Sequence, residues 1–237
     1  MLNYKDLEQK LSESIRLRTR PVAVTFSDVA PAGVEKFAGS EPSGCSFWRL
    51  AAEGKVFYTI PSDHYNCAIG CYTHHIPLPP EREKELGETL ALMTSIGYIR
   101  MEEVGGIHRL PKTPGVVIYA ALGETPTDPD VVIFAGRPGR LMSLHEAALR
   151  AGSGFGTPVL PRPTCMALPA ALAHGSVMST ACIGNRIYTD LEEDELYVAI
   201  SGRDLRKVVD ELETAASANS KLSEYHHARR QALRSIA

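Results

Sequence analysis

Long apolar runs are missing from this chain of 237 residues, and none approaches the roughly 20 needed for a membrane-spanning helix. The start, Met1-Leu-Asn-Tyr-Lys-Asp-Leu-Glu8, lacks the basic segment, apolar stretch and cleavage site of a secretory leader. Excess charge of either sign is also missing: 25 basic residues against 28 acidic ones leave a net −3, which argues against nucleic acid or an anionic membrane as partner. There is no P-loop, no dinucleotide-binding glycine fingerprint, no G-x-S-x-G and no H-E-x-x-H. Cysteine is scarce, and its odd count of five cannot form a complete internal disulfide framework. These absences point to a cytoplasmic globular protein in which thiols stay reduced.

What is present is a pattern in those few cysteines. One segment runs from Cys45 through an Ala-containing apolar stretch to Gly54, then a strand-like Val-Phe-Tyr-Thr, and ends at Cys67-Ala-Ile-Gly70. A second runs from Cys165 through Ala-Leu-Pro-Ala-Ala-Leu-Ala to Gly175, then Ser-Val-Met-Ser, and ends at Cys182-Ile-Gly184. The paired cysteines stand 22 positions apart in the first unit (67 − 45) and 17 in the second (182 − 165). Buried, inert cysteines are the plain alternative, because a free cysteine packs well as a small hydrophobe. Two units related by a pseudo-twofold would instead bring four thiols to one point, the ligand count of a metal ion or an iron–sulfur cluster. The spacing matches neither the local ferredoxin run nor the paired knuckles of a zinc ribbon, so the fold must assemble any such site.

Soft thiolates suit zinc and iron–sulfur clusters alike. A chain this long needs no structural zinc to fold, which favours a [4Fe–4S] cluster held by Cys45, Cys67, Cys165 and Cys182. Gly70 and Gly184 would let backbone amides approach a sulfur or an anion. Arg162, just before Cys165, would lower that thiol's pKa. Arg162 and Arg186 would also serve a second reading, in which a small anionic molecule or a tetrapyrrole sits in a cleft between the halves. For Arg186, ion pairing with Asp190 or Glu192 is an equal alternative. Cys71 reads as a bystander, and His64, His74 and His75 as residues of an exposed turn. The partners expected are a redox protein or a small anionic ligand, with a homodimer left open.

Hydrophobic periodicity predicts helices over 4–18, 46–52, 81–95, 143–151, 167–173 and 203–216, and strands over 20–26, 56–60, 115–121, 130–135, 177–181 and 195–200. The continuous apolar strands 115–121 and 130–135 belong in the middle of a sheet. Residues 34–37 could form a helical turn, 136–139 a plain turn, 152–158 a flexible segment, and 221–237 a polar helical tail. The fold class is α/β or α+β: a single domain over 1–237 of two pseudo-symmetric halves, roughly 20–110 and 115–217, around a mixed central sheet.

Five segments together are similar to one known family. They are Arg20-Pro-Val-Ala-Val24, His64-Tyr-Asn-Cys67-Ala-Ile-Gly70, Arg162-Pro-Thr-Cys165, Cys182-Ile-Gly-Asn-Arg-Ile-Tyr-Thr189 and Asp194-Glu-Leu-Tyr-Val198. Along with Cys45 they resemble the prokaryotic domain-of-unknown-function family 169 over nearly the whole chain. The resemblance implies a single cytosolic domain of bacteria or archaea, often anaerobic ones, with no established activity. It matches the recurring cysteines of that family to Cys45, Cys67, Cys165 and Cys182, and Cys71 departs from it.

Overall fold

A computed structural model of the chain describes residues 3–154 and 159–234. Most of the expected flexible segment 152–158, and the last three residues of the expected tail 221–237, lie outside the described residues. Asn3 caps α1 (Tyr4–Ile15) by accepting the Asp6 amide, and Leu7, Leu11 and Ile15 are buried along one stripe. β1 (Val22–Ser27), α2 (Ser46–Ala52), β2 (Phe57–Thr59) and α3 (Ala68–Thr73) follow. Then come α4 (Pro80–Ser95), β3 (Val116–Ala121) and β4 (Val131–Gly136), and after them α5 (Pro138–Arg150) and β5 (Val159–Leu160). The chain continues through α6 (Ala167–His174), β6 (Ser176–Ser179), α7 (Ile183–Thr189) and β7 (Leu196–Ser201) to α8 (Gly202–Arg234).

All seven strands join one mixed sheet in the order β2-β3-β1-β4-β7-β6-β5. Among the described strands the β5–β6 pair is parallel and the other pairs are antiparallel. With β5 set aside, the order reads alike from either end about the central β1–β4 pair. β1 answers to β4, β3 to β7 and β2 to β6. That central pair is antiparallel, as a twofold axis normal to the sheet requires. The two cysteine units are thus corresponding parts of the fold, α2–β2–α3 in one half and α6–β6–α7 in the other.

The period-2 alternation of strand side chains divides the core into two layers. Val22, Val24, Tyr119, Ile133, Tyr197 and Ala199 face one way and pack with α2 and α6. Ala23, Val132, Phe134, Val198 and Ile200 face the other way and pack with α1, α5 and α8. β3 and β4 are covered on both faces, which is why their sequences show almost no polar interruption. Gly175, with φ +90, turns the chain between α6 and β6. A Cβ there would stand 2.6 Å from Ser153 Oγ, so glycine is required.

Three expectations need correction. α5 starts at Pro138 rather than residue 143, because Arg137 is extended and the proline fixes the first helical φ. Lys36 forms a parallel bridge with Tyr58 in place of a helical turn over 34–37. The helix expected over 203–216 and the tail after it are one continuous α8. Ala215 is its last buried residue, so the helix runs on for about 28 Å without a buried side chain. Asn219 still reaches Ser143 Oγ at 3.1 Å. Removing residues 221–237 is therefore expected to move the melting temperature by no more than about 2 °C, as a thermal scan would check. Among the described residues no helix is long and apolar enough to cross a membrane.

Candidate cysteine site

Each of the four predicted cysteines stands where a helix begins. Cys45 precedes α2, Cys67 precedes α3 and Cys182 precedes α7. Cys165 lies in a single 3₁₀ turn, Thr164–Met166, that runs straight into α6. The Gly70 amide donates to Cys67 Sγ at 3.3 Å. A Cβ on Gly70 would stand 3.0 Å from that sulfur, which accounts for glycine at this position. Gly184 has open space by comparison, its nearest neighbour being Tyr188 at 3.7 Å.

The four sulfurs from the two halves converge. Cys165 lies within electrostatic reach of Cys45, Cys67 and Cys182, Cys45 of Cys67 and Cys182, and Cys67 of Cys182. The halves are laced together at this point. Cys165 Sγ approaches the Ile69 carbonyl of the other half at 4.0 Å, and within the second half the Cys182 amide donates to Thr164 Oγ1 at 2.6 Å. Cys45 and Cys165 are buried, whereas Cys67 and Cys182 are partly exposed. Burial is the main force pushing the Cys45, Cys67 and Cys165 thiols above their ordinary range, and negative charge on their neighbours adds to it. All five cysteines are free. Among the described residues no group of three or more His, Cys, Asp or Glu side chains is arranged to hold a metal ion.

Around the sulfurs lies a polar shell that the sequence did not advertise. Tyr119 is fully buried on β3, its ring held between Phe47 and Phe57 at 5.4 and 5.5 Å. Its hydroxyl is within electrostatic reach of Cys45, Cys165 and Cys67. Thr59 is nearby, yet its own hydroxyl is engaged with His64 Nε2 at 2.8 Å and the Val117 carbonyl, and Tyr119 OH meets no partner at hydrogen-bond geometry. The Asn185 amide approaches the Cys45 sulfur and the Tyr197 hydroxyl, but neither Nδ2 nor Oδ1 closes a full hydrogen bond. Only the sequence motif Cys182-Ile-Gly-Asn185 could have pointed to that asparagine. Nothing in the sequence singled out Tyr119 within its apolar strand.

His64 and His74 correct the exposed-turn expectation: both are buried, with ring centroids 5.6 Å apart. Desolvation drives the His64 pKa down to about 3 and that of His74 to about 4. His75 alone is exposed. Cys71 is buried and within electrostatic reach of Cys67 alone of the four, but its thiol donates to the His64 carbonyl at 3.1 Å.

The arginines are engaged elsewhere. Arg186 donates to the carbonyls of Glu192, Thr180 and Glu195 at 2.6, 2.6 and 2.9 Å, so it staples α7 to the approach of β7. Arg162 pairs with Glu103 at 2.8 Å and lies over the Tyr98 ring. The expectation that it lowers the Cys165 pKa fails, because its guanidinium is spent on that carboxylate and burial prevails at the thiol. A cleft of about 340 Å³ does open between the halves, lined by Arg18, Arg20, Trp48, Arg49, Ile133 and Tyr197 among others. Its lining holds none of the four cysteines, nor Arg162 or Arg186. Its three guanidiniums already pair with Glu195, Glu8 and Glu53.

A family model for domain-of-unknown-function family 169, described as uncharacterised ArCR, matches residues 10–211. The chain belongs to that family. Family 169 thus covers every strand and all four convergent cysteines. A relative from Methanocaldococcus jannaschii, named uncharacterized protein MJ0308, is 26% identical over 218 residues, which is 86% of this chain and 91% of the relative. No solved structure matches the chain.

Proposed function

We propose that this member of family 169 holds a [4Fe–4S] cluster on Cys45, Cys67, Cys165 and Cys182 and has a redox role in the cytoplasm: electron transfer, sensing or a cluster-dependent reaction. The observation that carries the reading is the meeting of four thiols, two from each half, at one largely buried point. Structural cysteines need only be buried, and nothing requires corresponding residues of two halves to be buried together.

The donor set, and a chain long enough to fold without a structural zinc, favour a cluster over a single ion. The donor set is soft and thiolate-only, as clusters prefer. The protein's share is to place the sulfurs, exclude most water from them, and supply the Gly70 amide to Cys67 Sγ.

The test is purification and reconstitution without oxygen. The expected product is brown, with iron and acid-labile sulfide present in equal amounts. A colourless protein that takes up neither would overturn the reading, and stoichiometric zinc in their place would replace the cluster by a closed metal site.

A further inference from the structure

Inside a core, a polar side chain with no partner is expensive, and such groups are few in natural proteins. Two of them border the cysteine site, reached from different elements: Tyr119 from the middle of β3 and Asn185 from the first turn of α7. Both residues are at least nine-tenths buried, with relative exposures of 0% for Tyr119 and 2% for Asn185. The tyrosine ring cannot swing away to find water, since Phe47 and Phe57 clasp it. The asparagine stands on α7, where its backbone carbonyl takes the Thr189 hydroxyl at 2.8 Å while its side-chain amide closes no full hydrogen bond. What these unused groups have in common is the sulfurs they adjoin: Cys45, Cys67 and Cys165 for the tyrosine, and Cys45 for the asparagine.

We infer that Tyr119 and Asn185 are hydrogen-bond donors to the group held by the four cysteines, and that together they set its reduction potential. The inference rests on the cluster reading above and assigns two residues to it that are not ligands. A hydroxyl or amide proton directed at a cluster sulfur stabilises the more negative, reduced state, and so raises the potential. Within the chain itself neither side chain closes a full hydrogen bond, although Thr59 stands near the tyrosine and Tyr197 near the asparagine, and a bound cluster would supply the missing acceptor.

The experiment compares Tyr119→Phe and Asn185→Leu with the wild type, both metal-free and reconstituted. Without metal, each variant is expected to melt no lower than the wild type, because an unpaired buried polar group is being replaced by an apolar one. After reconstitution each is expected to keep its iron and sulfide content and to show a more negative midpoint potential in a redox titration. Iron-loaded variants with unshifted potentials would overturn this inference alone. So would a metal-free Tyr119→Phe that melts clearly lower, since the hydroxyl would then have a partner in the empty protein. A wild type that binds no iron would overturn the cluster reading and this inference with it. Should one variant not fold, the potential of the other decides.

Discussion

Serine at Cys45, Cys67, Cys165 or Cys182 is expected to reduce the iron retained after anaerobic reconstitution at least about tenfold, whereas Cys71→Ser should retain it. Loss of an outer-shell partner alone weakens metal sites by about 10–100-fold, and loss of a ligand should do no less. Cys71 is the internal control. It is buried among the same elements, but its thiol is committed to the His64 carbonyl, and burial, followed by the charge of Cys67, pushes it up to about 12. Cys45 and Cys165 are core residues, and a buried hydroxyl costs about 1–3 kcal/mol in its own right. The partly exposed Cys67 and Cys182 therefore give the cleaner comparison, with circular dichroism to establish folding. Because thiols must lose protons to become ligands, loading should also be more complete at pH 8.5 than at pH 6.5. Full iron content in Cys182→Ser, or equal loss in Cys71→Ser, would remove the four-thiol site.

Mild acid is expected to unfold the metal-free protein, with His64 and His74 as the cause. In the unfolded chain each takes up a proton near pH 6.5. In the fold burial keeps both neutral until the pH reaches about 3 for His64 and about 4 for His74. Between those values the unfolded state binds more protons, so stability falls as pH drops below 6.5 and is fully present above it. By pH 4 each histidine removes about 3 kcal/mol, and together they approach the 5–15 kcal/mol that holds an ordinary domain. His74 cannot easily escape, because its Nδ1 proton serves the Gly70 carbonyl at 2.8 Å. Urea titrations from pH 7.5 down to pH 4 would measure the slope. Doubly substituted His64→Gln, His74→Gln protein should give a flatter profile, and an equally steep one would place the acid sensitivity elsewhere.

Periodicity located nearly every element, because buried strands such as 116–121 and amphipathic stripes such as Leu7, Leu11 and Ile15 leave a local mark. Boundaries set by capping were less legible. At Pro138 a helix start resembled a turn, and between 203 and 234 one long helix resembled a helix with a tail. Buried histidines misled for a different reason. A histidine beside proline and tyrosine looks like loop chemistry, and only the packing of Phe26 and Phe47 against the rings decides otherwise.

The chain alone determined that two matched cysteine units exist and that strands and helices alternate around them, since both are written in residue order. The strand order that sets β1 against β4 belongs to the tertiary structure. So do the convergence of Cys45 and Cys67 with Cys165 and Cys182, and the placing of Tyr119 and Asn185 beside those sulfurs. The reason is physical: backbone periodicity is a property of neighbours, whereas a site shared by two halves depends on contacts between residues about 100 or more apart, which close only when the sheet forms.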